Sequence, residues 1–168
     1  MGEPVDVLTP DGAYTGAVID KAEAHRTGAW HRAAHVWIVT PDRRVLLQRR
    51  ALVKENWPGK WDVSVAGHVG AGETAEEAAI REAREELGLA LDGLRHIGTT
   101  RERCVLNGGT YIDNEVHEIF LVRREIDLTA LRLDPNEVAE VALVAPDELD
   151  GYDLVPHPDE YALFRPIV

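Results

Sequence analysis

Apolar and polar residues along this chain change their spacing several times, and each change marks an element. Residues 5–19, VDVLTPDGAYTGAVI, read as two short strands around a PDG turn. Asp20 is placed to cap a short helix, KAEAHR, that ends near Gly28. HRAAHVWIVT (31–40) and VLLQRR (45–50), joined by PDR, predict a hairpin in a buried sheet. WDVSVAG (61–67), preceded by the turn WPGK, predicts one further strand. Later strands are expected at HIGTTRER, YIDNEVHEIFLVRR and EVAEVALVA, then a short helix at PDELD and an end without a clear pattern.

The helix with the clearest signals lies between Thr74 and Gly88. Thr74 and Glu77 form a T-x-x-E capping box, and Gly88 stands where a left-handed C-terminal cap belongs. At about 100° per residue, Ile80, Ala83 and Leu87 form the stripe expected to pack on the sheet. Arg81 and Arg84 fall on the far side. Strands interspersed with few helices predict an α+β fold, a mixed sheet sandwiched by helices, rather than a doubly wound sheet. The 168 residues suit one domain, 1–168, with the N-terminal strands of 4–20 and the segment 146–168 as extensions.

Charge changes this picture. Thirty acids against eighteen bases give a formal net charge of −12, which disfavours a nucleic-acid partner. Residues 43–60 run the other way, with six Lys or Arg and one acid. Arg49, Arg50 and Lys54 are therefore candidates for gripping an anion, against the plainer reading of a basic surface. From Leu133 to Phe164 there are nine acids and no Lys or Arg, read as a solvated face. The single Cys104, the lack of eighteen consecutive apolar residues and the lack of an export signature lead to the expectation of a cytoplasmic protein without a membrane partner.

Glu82, Glu85 and Glu86 lie within one turn, and like charges at that spacing destabilise a helix by a few tenths of a kcal/mol per pair. A solvated acidic face is one reading. A divalent cation, Mg²⁺ or Mn²⁺, held by hard oxygen ligands on a rigid face is the other. The whole stretch, Gly67, Glu73, Arg81, Glu82, Ala83, Glu85, Glu86, Gly88 and Leu89, resembles the Nudix box G-x5-E-x7-R-E-U-x-E-E-x-G-U, where U is apolar, with every fixed position filled. The resemblance implies an α/β/α sandwich and hydrolysis of a diphosphate linkage in a nucleoside diphosphate derivative or related small molecule. It makes Glu82, Glu85 and Glu86 metal ligands, with Glu82 first choice for general base. Glu73 and Arg81 would brace the loop, with Gly67 and Gly88 as backbone positions. A homodimer is compatible with it.

Outside the box, residues from about His25 to Glu115 resemble isopentenyl-diphosphate isomerase and its Nudix relatives. That resemblance implies a metal site at His25, His31, His68, Asp113 and Glu115, catalysis involving Glu115, and a substrate diphosphate on Arg50 and Lys54. One position departs from it. The isomerases carry a cysteine before the glycine–histidine pair, and this chain has Ala66, which has no proton to give. The intact box and the missing thiol both favour hydrolysis, with an isomerase and a non-catalytic nucleotide sensor as the alternatives.

Overall fold

The computed structural model describes residues 2–168. In chain order the strands are β1 (Pro4–Leu8), β2 (Tyr14–Asp20), β3 (His31–Val39), β4 (Val45–Arg50), β5 (Trp61–Asp62), β6 (Val65–His68), β7 (Arg95–Leu106), β8 (Tyr111–Arg123) and β9 (Val138–Val144). The α-helices are α1 (Lys21–Thr27), α2 (Ala75–Leu87) and α3 (Pro158–Phe164). Among the described residues, no helix is long and apolar enough to cross a membrane.

β1 and β2 form a two-stranded antiparallel sheet, and the other seven strands form one mixed sheet. Its centre is β3, which runs parallel to β8 from His31↔Glu115 to Val39↔Arg123. On the other edge of β3, β6 is antiparallel, with Ala33 opposite His68 and Ala34 opposite Gly67. The expected hairpin of β3 and β4 forms, but its strands touch only at Val39↔Val45 and then diverge. That divergence corrects the reading of residues 61–67 as one strand. β5 pairs with β4 and β6 pairs with β3, so the segment crosses the gap between them. Ser64, at the crossing, accepts from the Ile38 amide at 2.8 Å.

Alternation along β3 sends Ala34, Val36 and Ile38 to one face and Trp37 and Val39 to the other. α2 covers the first face. Its buried stripe is Ala78, Ala79, Ala83 and Leu87, whereas Ile80 is only partly buried. The alanines let the helix backbone lie close to the sheet. The second face is covered by the C-terminal segment, whose expected irregularity gives way to α3. Phe164 stacks on Trp37 at 3.9 Å, and both are fully buried. The helices on the two faces give the sandwich expected from the sequence.

Both helix starts are capped, but the capping box at α2 is only half made, since Glu77 accepts from the Thr74 hydroxyl at 3.0 Å and not from its amide. The Asp20 carboxylate accepts from the Ala22 amide, and the Thr74 hydroxyl accepts from that of Glu77 at 3.1 Å. Gly28 and Gly88 close their helices with φ of 79° and 66°. The Gly88 cap also places the Leu89 amide on the Ala83 carbonyl.

Candidate metal and diphosphate site

The box residues fold as a loop, α2 and the end of β6. Gly67 faces α2 so closely that a Cβ there would collide with the Glu82 carboxyl group. Arg81 is the organising side chain. Its Nε and Nη2 donate to the two Glu73 oxygens at 2.8 and 2.9 Å, and Nη2 also donates to the His68 carbonyl. Nη1 donates to Glu82 at 2.8 Å and to Glu85 at 3.2 Å. This corrects the placement of Arg81 on the far side of the helix: its long stem swings back over the cluster. Two of the three glutamates thus have a cation already. Hydrogen bonds from Arg81 hold the Glu73 carboxyl below its ordinary range.

The unrelieved repulsion lies between Glu82 and Glu86. Glu86 is 3 % exposed and accepts from Gln48 Nε2 at 2.9 Å and, more weakly, from the Ala66 amide at 3.4 Å. Burial, and then the neighbouring Glu82, push its carboxyl well above the ordinary value. Burial raises Glu82 as well, against the pull of Arg81. Glu85 stays exposed.

On the opposite sheet face, a second group of donors converges. His25 from α1, His31 from β3, His68 from β6 and Glu115 from β8 each offer one ligand atom, all within 4.8 Å of one another. Registry places His31 beside Glu115, and Glu115 Oε2 lies 3.2 Å from His31 Nε2 and 2.9 Å from His68 Nε2. His31 Nδ1 donates to the Ala29 carbonyl at 3.0 Å, and although burial lowers the ring's pKa, Glu115 beside Nε2 raises it overall. His31 Nε2, His68 Nε2 and Asp113 Oδ1 are buried without a hydrogen-bond partner, as ligand atoms for an ion would be. Burial would raise Glu115, but the hydrogen bond from His117 and the adjoining imidazoles of His31 and His68 hold it well below the ordinary range. Burial lowers His68, keeping it neutral and able to bind a metal. Asp113 stands 3.4 Å from His25 Nε2 and 3.8 Å from His31 Nε2, at the rim of the set.

Both groups open on one cavity of about 1040 Å³, which is also lined by Arg50 and Lys54. Arg50 is held by the loop that follows it, donating from Nη2 to Asn56 Oδ1 at 2.7 Å. Lys54 is paired with Glu137 at 2.6 Å. Arg49 does not line the cavity. Adjacent strand residues point to opposite sides, and Arg49 donates instead to the Gly59 carbonyl and Glu140. Lys21, Arg101 and Arg103 also reach the cavity, on α1 and β7, where nothing in the sequence pattern marks them.

Cys104 lines the same cavity rather than packing as a buried hydrophobe, and it sits opposite Asp113 in the β7–β8 register. Burial and the charges of Asp113 and Glu115 push its thiol up to about 12. A further knot of histidines and acids lies on the same sheet face: His35, Asp62, Glu102, His117, His157 and Glu160. Glu160, assigned by its surroundings to a solvated acidic run, is fully buried. The i, i+2 spacing of His31, Ala33 and His35 on β3, and of Glu115 and His117 on β8, is the signal that places these side chains on one face.

A family model described as the NUDIX domain matches residues 29–164. The chain is 43% identical over 155 residues to Nudix hydrolase 3 of Arabidopsis thaliana, covering 89% of this chain and 20% of that protein. It therefore spans about a fifth of that relative's length. It is 39% identical over 131 residues to an isopentenyl-diphosphate Delta-isomerase of Rhodobacter capsulatus, covering 78% of this chain and 73% of that one. The crystal structure of DR0079 from Deinococcus radiodurans shares the fold, with a TM-score of 0.74, 23% identity and 98% of both chains covered.

Proposed function

Because this chain belongs to the Nudix family, we propose that it hydrolyses a diphosphate linkage in a small organic diphosphate, with Mg²⁺ or Mn²⁺ held by Glu82, Glu85 and Glu86. The observation that carries this reading is the buried Glu86 beside the partly buried Glu82, facing the same cavity as Arg50 and Lys54. Arg81 pairs with Glu82 but Glu86 has only amide donors, and a carboxylate so buried costs stability unless a cation joins it. When bound, the ion neutralises phosphoanhydride oxygens and acidifies a water molecule.

The chain's own residues supply the rest. Arg50 and Lys54 bind the diphosphate, and their present partners Asn56 and Glu137 keep both extended toward the cavity. Glu82 is the general base. Its carboxyl is raised by burial, which makes it a stronger base than a free glutamate, and general-base catalysis contributes about 10²–10⁴-fold. Arg81 positions Glu82 and Glu85 through Nη1 while its other nitrogens tie the loop down through Glu73. Gln48 orients Glu86.

A panel of nucleoside di- and triphosphates, sugar nucleotides, dinucleoside polyphosphates and isoprenoid diphosphates tests this directly. Metal-dependent release of phosphate or monophosphate from at least one is expected, with Glu85→Gln strongly impaired. No release from any, or equal release by the variant, contradicts it.

One observation supports a second reading, isomerisation of an isoprenoid diphosphate. Cys104 and Glu115 line one cavity beside the histidine set, so a protonated thiol and a carboxylate are both present although residue 66 is alanine. Deuterium incorporation into isopentenyl diphosphate in heavy water, lost in Cys104→Ala, would favour it. No incorporation removes it.

A further inference from the structure

Below the His25 set, further along the same sheet face, the second knot of side chains has a geometry of its own. Glu102 on β7, His117 on β8, and His157 and Glu160 at the start of α3 each bring one donor atom to within 4.8 Å of the others. His117 is 2 % exposed, His157 is 8 %, and Glu160 is fully buried. Glu102 Oε2 is 2.8 Å from His117 Nδ1 and 2.6 Å from His157 Nδ1.

The far nitrogens of both rings are already committed. His117 Nε2 is 2.9 Å from Glu115 Oε1, and His157 Nε2 is 3.1 Å from Asp62 Oδ1. A carboxylate can only accept, so both Nε2 atoms are the protonated ones. Each Nδ1 faces the shared Glu102 oxygen, which accepts from His157 Nδ1 at 2.6 Å, so an ion bound there would take the place of the Nδ1 protons. The His117 Nδ1 contact fails as a hydrogen bond despite its distance, leaving a buried nitrogen with no partner. A carboxylate behind each histidine is the arrangement that orients metal-binding imidazoles. Glu160 is held from behind too, by His35 Nδ1 at 2.8 Å and Trp37 Nε1 at 3.0 Å, with one lone pair left on each oxygen.

We propose that Glu102, His117, His157 and Glu160 form a second, buried divalent-metal site that binds through Nδ1 of both histidines and pins the C-terminal helix to the sheet. Two imidazoles and two carboxylates suit Zn²⁺, Fe²⁺ or Mn²⁺ better than Mg²⁺. The site is independent of the hydrolase reading, since it shares no residue with the box. Its link to the His25 set is Glu115, whose Oε2 faces His31 and His68 while Oε1 accepts from His117.

Chelator-stripped full-length protein, kept in excess Mg²⁺ to occupy the glutamate patch, would be titrated with Co²⁺ and read by its visible absorption. Two nitrogen-ligated equivalents are expected for the wild type. The double variant His25→Ala, His68→Ala should keep one, and Glu102→Gln or His157→Ala should keep the other. Zn²⁺ should raise the Tm of the His25→Ala, His68→Ala protein by roughly 5–10 °C at a hundredfold excess over Kd. It should do so much less in a protein that also carries Glu102→Gln. A wild type that takes one equivalent, unchanged by Glu102→Gln, overturns the proposal, as does a His25→Ala, His68→Ala protein that folds and binds no Co²⁺. If His157→Ala does not fold, Glu102→Gln alone decides.

Discussion

Glu86 bears the sharpest conflict between stability and chemistry. Its folded-state carboxyl titrates well above the ordinary 4.5 because it is buried beside Glu82. The folded protein therefore holds a proton that the unfolded chain releases, so without metal the fold loses stability as pH rises from about 4.5 through the raised value. Glu86→Gln keeps an acceptor for Gln48 and gives Glu82 a donor. At pH 8 without metal it should stabilise the fold by about 1–3 kcal/mol, the usual cost of an imperfectly compensated buried polar group. Urea denaturation at pH 8 and pH 4 checks this, with the difference expected to vanish at the lower pH. The same proton competes with the cation, so the Mg²⁺ affinity of the wild type should rise with pH. At the neighbouring Gly67, any side chain meets the Glu82 carboxyl group. Gly67→Ala should cut turnover by at least tenfold, measured as kcat at saturating metal. The box glutamates and their glycine were legible in the sequence because their spacing is fixed. Arg81's reach over the cluster was not, because helical angle locates a Cβ and says nothing of a guanidinium several bonds away.

α2 presents the glutamates because its N-terminal cap and its alanine face hold it against the sheet. Thr74→Ala removes the hydroxyl that accepts from the Glu77 amide and should cost about 1 kcal/mol, read from the urea midpoint. Phe164→Ala, which empties the stack on Trp37, should cost about 3–5 kcal/mol and release α3 from its sheet face. Most elements were legible because period and turn chemistry agree. Residues 61–67 read as one strand since local alternation does not reveal that β3 and β4 part after a single residue pair. The C-terminal helix was missed for a related reason. An acidic run suggests a solvated face, and only tertiary packing shows that Glu160 turns inward to His35 and Trp37 while Phe164 enters the core.

At the scale of the molecule, one sheet separates two groups of charged residues that meet at a shared cavity. The glutamate patch lies on the α2 side with Arg50 at the end of β4, and the histidine set belongs to the opposite face. A protein of formal charge −12 can draw an anion into that cavity only through local cations, whether basic side chains or metal ions. The sequence resemblance anticipated that His25, His31, His68 and Glu115 would gather, and they do. Residue periodicity alone could not bring together positions from α1, β3, β6 and β8. The most direct test of the account is a kinetic comparison on whichever diphosphate in the panel turns over. Initial rates would be measured for wild type and Glu82→Gln against Mg²⁺ concentration. The account predicts no turnover without metal, saturable activation by it, and a kcat lower by about 10²–10⁴-fold in the variant. Turnover that ignores Mg²⁺ and Mn²⁺, or a variant with wild-type kcat, would contradict it.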